Sequence, residues 1–158
     1  APKVFRDHVG IPIEAAIASV DQKLRDQGVR NEISIIASGG IRSSADLAKS
    51  IALGADAVYI GTAALVALGC RVCGNCYRNL CPWGIATQRP DLVSRLDPEA
   101  GAAQVSNLIH GWTLELSELM GAAGINSIES LRGNRDRLRG YMLDEGMLKI
   151  MDVLPAGA

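Results

Sequence analysis

Four cysteines, Cys70, Cys73, Cys76 and Cys81, fall within twelve residues of a 158-residue chain that holds no others. The spacing C-x2-C-x2-C-x4-C is too tight for a disulfide framework, which staples distant loops, and suits thiolates converging on a metal or cluster. Cys81-Pro82 follows the first three closely enough to serve the same cluster, and Gly69, Gly74 and Gly84 allow tight wrapping. Closely spaced thiolates of this kind hold iron–sulfur cubanes. Zinc is the alternative metal, since four cysteines also make a structural site. Zinc sites usually arrive as two CxxC pairs a dozen or more residues apart, and that spacing is missing here. Plain reactive thiols are the remaining reading. Thiolates kept free for a metal imply a reducing compartment, which reads as cytoplasmic.

The second feature lies upstream. Glycines at the carboxyl end of a strand let the backbone approach a ligand, and the next helix aims its free N–H groups at that spot. The arrangement occurs twice in succession, at Ser38-Gly39-Gly40 and at Gly61-Thr62, with Arg42 placed to add a charge-assisted contact. Two consecutive units plus Arg42 favour phosphate binding over glycines that merely allow tight turns. A phosphate cradle about nine residues before an iron–sulfur loop suggests a phosphate-bearing redox cofactor, with FMN beside an electron relay as the natural pairing.

Regular elements must position both features. Ile13, Ala16, Ile17, Val20 and Leu24 recur at helical spacing, which predicts a helix over Pro12–Gly28 with Asp21, Lys23, Arg25 and Asp26 mostly off the apolar stripe. Ile33–Ala37 and Ala57–Ile60 read as strands, apolar without alternation, as in a parallel sheet covered on both faces. Ser43 or Ser44 caps an intervening helix with Leu47, Ala48, Ile51 and Ala52 on its buried side. Another helix starts at Ala63. Asp97-Pro98-Glu99 opens a long one reaching about Met120, Asn126-Ser127-Ile128-Glu129 resembles a capping box, and Asp144-Glu145 opens a last short one. Strand, glycine turn and helix, twice over, define an α/β fold. A complete (β/α)8 barrel needs about 250 residues, so a barrel reading makes this chain its C-terminal portion, the last two βα units plus a tail.

Composition narrows the function classes. Sixteen Lys+Arg against 17 Asp+Glu leave a net charge of −1, with no positive excess for nucleic acid. No apolar run approaches a membrane span, and the N-terminus has no secretory core. It also lacks an initiator Met, as expected of a piece of a longer chain. His8 and His110 have no metal-like spacing, Trp112 is expected in the core, and Trp83 is placed to shield Cys81 from water. Arg132, Arg135, Arg137 and Arg139 read as a solvated helix face, with a docking patch for an acidic electron donor as the alternative.

Two resemblances sharpen this picture. Cys70–Cys76 is similar to the C-x2-C-x2-C run of bacterial ferredoxins. Ala37-Ser38-Gly39-Gly40-Ile41-Arg42-Ser43 through Gly54–Thr62 resembles the last two βα units of FMN-dependent barrels, and Gly61–Cys70, Cys76 and Cys81-Pro-Trp-Gly-Ile-Ala-Thr-Gln88 resemble the synthase domain of glutamate synthase. The pattern is similar to archaeal-type or stand-alone members of that family, and extends to Glu115–Gly121 and Leu131-Arg-Gly-Asn-Arg135. The family's C-x5-C-x4-C-P motif binds a [3Fe-4S] cluster, and Cys70, Cys76 and Cys81 match it. Cys73 is an additional thiol, so [4Fe-4S] is expected over [3Fe-4S].

The resemblance implies residues 1–69 as the last units of an FMN-binding barrel, 70–89 as the cluster loop and 90–158 as a helical extension. Ser38, Gly39, Gly40, Arg42, Gly61 and Thr62 would hold the FMN phosphate. Electrons from ferredoxin or a reduced pyridine nucleotide would pass through the cluster to FMN, which reduces the imine of 2-oxoglutarate and ammonia to L-glutamate. The ring-binding residues and the amidotransferase nucleophile are not in this sequence, so no catalytic residue is assigned. Activity is expected to need the rest of the barrel, in cis or as a partner subunit, and ammonia or a glutaminase partner. The alternatives are a non-catalytic iron–sulfur electron-transfer or assembly subunit, and a related transferase acting on another amine.

Overall fold

The computed structural model describes residues 3–158; Ala1 and Pro2 lie outside the described residues. A helix the sequence does not announce, α1 (Lys3–His8), comes first. Helix α2 (Ile13–Asp26) follows the expected apolar stripe, and its last turn is tied off by Gln27 and Gly28 N–H groups. Strand β1 (Ile36–Ser38) starts three residues later than expected: the chain is already extended at Ile33, after a 3₁₀ turn over Arg30–Glu32, but strand pairing begins only at Ile36. Helix α3 (Ser44–Leu53) is capped by Ser43, whose side chain accepts the Asp46 N–H. Strand β2 (Ala57–Tyr59) then pairs parallel with β1, in the register Ile36–Ala57, Ala37–Val58, Ser38–Tyr59. Helix α4 (Thr62–Ala67) follows directly.

The chain is thus of mixed α/β type. The expectation of a sheet covered on both faces does not hold for this pair. Ala37 is buried and Val58 half-buried, but the opposite face carries Ile36 at 46% exposure and Tyr59 at 64%. Unalternating apolar strands leave that face without cover among the described residues.

A helical region follows the cysteine loop. After a single turn, α5 (Pro90–Val93), the 25-residue α6 (Pro98–Ala122) starts at Asp97, whose side chain accepts the Glu99 and Ala100 N–H groups. Helix α6 packs along both α3 and α4, so one element braces the two helices that follow the glycine turns. Ser127 caps a single turn, α7 (Ile128–Leu131), and Asp144 caps α8 (Glu145–Met151). Two-residue strands β3 (Arg139–Gly140) and β4 (Leu154–Pro155) pair in parallel. The core joins Ile17 and Ala18 of α2, Ala37 of β1 and Ile51, Ala52 and Leu53 of α3 with Ile125, Leu131 and Met151 of the tail. Trp112 is buried as expected, and His8 and His110 are exposed. Among the described residues no helix is long and apolar enough to cross a membrane.

Candidate functional site

Parallel pairing puts the carboxyl ends of β1 and β2 side by side, so Ser38-Gly39-Gly40 and Gly61-Thr62 leave the sheet together. Gly39 and Gly40 sit at φ +116° and +75°, which side chains rarely adopt, and nothing stands within 4 Å of where a Cβ would project. Among the described residues, the N–H groups of Gly39, Gly40, Gly61 and Thr62 make no hydrogen bond to backbone outside the regular elements. Two neighbouring turns whose donors no loop carbonyl takes suit an anion.

The α3 N-terminus beside them carries a carboxylate in its first turn. The Asp46 carboxylate accepts the Arg42 N–H at 3.0 Å and the Ser43 hydroxyl at 3.2 Å, and pairs with Lys49. Burial pushes the Asp46 carboxyl up, but the Arg42 N–H and Lys49 outweigh it and hold it below the usual carboxylate range. Ser44, at the first position of α3, is buried and donates at 2.5 Å to Glu115 of α6. The Arg42 side chain is exposed and pairs with no carboxylate among the described residues.

The cysteine loop begins at Cys70, three residues after the end of α4. Cys81 is buried, Cys70 partly so, and Cys73 and Cys76 are exposed. The Ala86 N–H, with those of Trp83, Ile85 and Gly84, holds the Cys81 thiol below the ordinary cysteine range, against burial, which pushes it up. Cys70 Sγ accepts the Val72 N–H at 3.3 Å. Gly84 shapes the Cys81 nest at φ +75°, with the Leu92 carbonyl 2.5 Å from any Cβ placed there. Val72 and Asn79 are left-handed at φ +53° and +57°, a costly conformation for a β-branched residue. Among the described residues, no three His, Cys, Asp or Glu side chains are gathered closely enough to hold a metal ion. The donors are therefore of the right kind, with one thiol pre-set toward thiolate, while the four are not assembled around a point.

The family model for the conserved region in glutamate synthase matches residues 1–126. The chain belongs to the glutamate synthase family. It is 75% identical over 157 residues, 99% of its length, to the archaeal glutamate synthase (NADPH) of Methanocaldococcus jannaschii. It is 62% identical over the same span to the archaeal-type glutamate synthase (NADPH) of Thermotoga neapolitana. A glutamate synthase large subunit-like protein of Rhizobium meliloti is 40% identical over 144 residues, covering 81% of this chain and 33% of that one. The chain spans 31% of the length of the first two relatives.

This glutamate synthase segment holds a group of residues that the sequence pattern does not reveal. Asp21, read as lying mostly off the buried stripe, is fully buried and accepts from Arg25, Arg30 and Arg135 at 2.8, 2.7 and 2.9 Å. Asp56 accepts from Arg30, Arg132 and the Ile35 N–H. Burial raises the Asp56 carboxyl, and these donors, led by the Ile35 N–H, overcome it and leave it lowered. The expected solvated arginine face is corrected in part: Arg132, Arg137 and Arg139 are exposed, though on turns and a short strand rather than one helix, while Arg135 is not. Arg135 is buried in a 3₁₀ turn (Arg135–Arg137), Arg132 reaches Asp56, and Arg139 caps the Asp136 and Leu138 carbonyls. The knot ties the amino ends of β1 and β2 to α2 and the tail, opposite the glycine turns. A spacing of 114 residues between Asp21 and Arg135 offers no local signal.

Proposed function

We propose that this chain supplies the last two βα units of an FMN-binding (β/α)8 barrel, residues 1–69, followed by an iron–sulfur loop, 70–89, and a helical extension, 90–158. The protein that carries it would be a glutamate synthase-type oxidoreductase. The observation that carries the reading is the adjacency of the two glycine turns, whose amides take no loop carbonyl among the described residues, with the second turn shortly before the cysteine loop. The exposed face bearing Ile36 and Tyr59 suits the interior of a barrel whose other strands lie outside this chain.

The residues present fit both groups in chemical kind. Gly39, Gly40, Gly61 and Thr62 offer amides to the FMN phosphate, Ser38 a hydroxyl and Arg42 a free guanidinium. Because the Asp46 carboxylate lies in the first turn of α3 and opposes an anion there, the phosphate would rest on the turn amides rather than on that helix. Cys70, Cys73, Cys76 and Cys81 would hold a [4Fe-4S] cluster, with [3Fe-4S] on Cys70, Cys76 and Cys81 as the alternative. The Cys81 nest favours the thiolate a metal requires, and the half-buried Trp83 keeps water from it. Strain at Val72 marks a backbone shaped by more than its own packing. When bound, the two groups supply electron relay from ferredoxin or NADPH and hydride delivery to the imine of 2-oxoglutarate and ammonia.

Comparing FMN with riboflavin tests the cradle. In the intact protein, riboflavin should bind at least about 100-fold more weakly, since it lacks the phosphate on which several charge-assisted bonds depend. Equal affinities would remove the cradle from the account.

A further inference from the structure

Charge is unevenly matched at the amino ends of β1 and β2. Four guanidiniums, Arg25, Arg30, Arg132 and Arg135, share Asp21 and Asp56, with Asp152 a more distant third carboxylate on Arg135 alone. Arg30 and Arg135 turn their nitrogens inward. Arg30 also donates to the carbonyls of Ile33 and Gly54, and Arg135 to those of Ala18 and Leu53. Arg25 and Arg132 are different. Each gives one nitrogen to the knot, Nε to Asp21 and Nη1 to Asp56, and each side chain stays nearly half exposed, at 48% and 46%. Both line an open cavity of about 360 Å³, together with Gly28, Arg30, Asn31 and Glu129.

We propose that this cavity is a second oxyanion site, taking the phosphate group of a small molecule between Arg25 and Arg132. A guanidinium anchored by one nitrogen has lost most of its rotamer freedom before the ligand arrives, so its remaining N–H groups bind at little further entropic cost. Two such anchored forks facing one cavity suit a tetrahedral oxyanion. Gly28, at φ +72°, adds backbone without a side chain to the wall. Asp152 lies 3.8 Å from Arg135 and is itself outside the lining, so it does not neutralise Arg25 or Arg132. Glu129 is the carboxylate among the lining residues and opposes an anion. The site is not the glycine-turn cradle. It sits where the strands begin, and a three-residue strand separates the two by about 10 Å.

Inorganic phosphate, titrated into the intact protein labelled with 15N-glycine and 15N-arginine at constant ionic strength in chloride, tests the site. The Gly28 amide and the Arg25 and Arg132 Nε signals should follow one saturable curve. Arg25→Gln and Arg132→Gln should each weaken it about tenfold, as expected for losing one charged fork. Glu129→Gln, which removes no bond described in the fold, should tighten it severalfold. The Gly39, Gly40 and Gly61 amides report the cradle separately, so failure of one site is not mistaken for failure of the other. Immobile Gly28 and arginine signals, shifts that never saturate, or a curve unchanged in Arg25→Gln and Glu129→Gln would overturn the proposal.

Discussion

Replacing Asp21 with Asn keeps the shape of a fully buried side chain and removes its charge. Three guanidiniums then lose a carboxylate, and they do not lose equally. Arg25, 48% exposed, regains water, so its share is that of a surface pair, at most about 1 kcal/mol. Arg30 keeps Asp56. Arg135 is only 7% exposed in its side chain and retains just the Ala18 and Leu53 carbonyls, with a marginal 3.8 Å approach to Asp152. Stranding a buried charge of this kind costs about 3–5 kcal/mol. Urea unfolding should therefore show a midpoint about 2 M lower at unchanged slope, taking roughly 2 kcal/mol/M for a chain of this size. Arg25→Gln should cost under about 1 kcal/mol in the same assay. A loss below about 1 kcal/mol for Asp21→Asn, or equal losses for the two variants, would refute the view that the knot locks the strands to the tail.

Other expectations follow from the same geometry. Gly84→Ala must place a Cβ against the Leu92 carbonyl at φ +75°, so it should destabilise by more than about 1 kcal/mol and lower the iron retained after anaerobic purification. Glu115→Ala removes the acceptor of the buried Ser44 hydroxyl and should cost about 1–3 kcal/mol in urea, whereas Glu115→Gln, which can still accept, should cost less. The Asp46 and Asp56 carboxyls are lowered in the folded state, so their stabilisation is complete above the unfolded value of about 4 and lost as pH falls through the folded values. Tm measured below pH 4 should drop, and Asp56→Asn should flatten that drop.

Local signals proved easy to read. Ser43, Asp97, Ser127 and Asp144 each cap the helix their side chains suggest, because capping depends on donors two or three residues away. The glycine turns follow from strand ends a few residues long. What stayed hidden depends on distant partners. Asp21 reads as a polar residue of an amphipathic helix until Arg135 is brought to it by the fold, and the same contact buries Arg135 alone within an otherwise exposed arginine run. Ile33–Ile35 read as strand, and Ile33 is indeed extended, but pairing between the two strands begins only at Ile36, which the local pattern does not show. The uncovered face of β1 and β2 escaped notice because an apolar strand reads the same whether its cover lies in this chain or elsewhere.

The most direct test of the account is the count of iron, acid-labile sulfide and zinc per chain after anaerobic purification. About four iron and four sulfide are expected, held by Cys70, Cys73, Cys76 and Cys81, with Cys73→Ser lowering the iron to about three. Zinc without sulfide, or iron that survives loss of Cys81, would contradict the cluster loop and with it the redox reading of the chain.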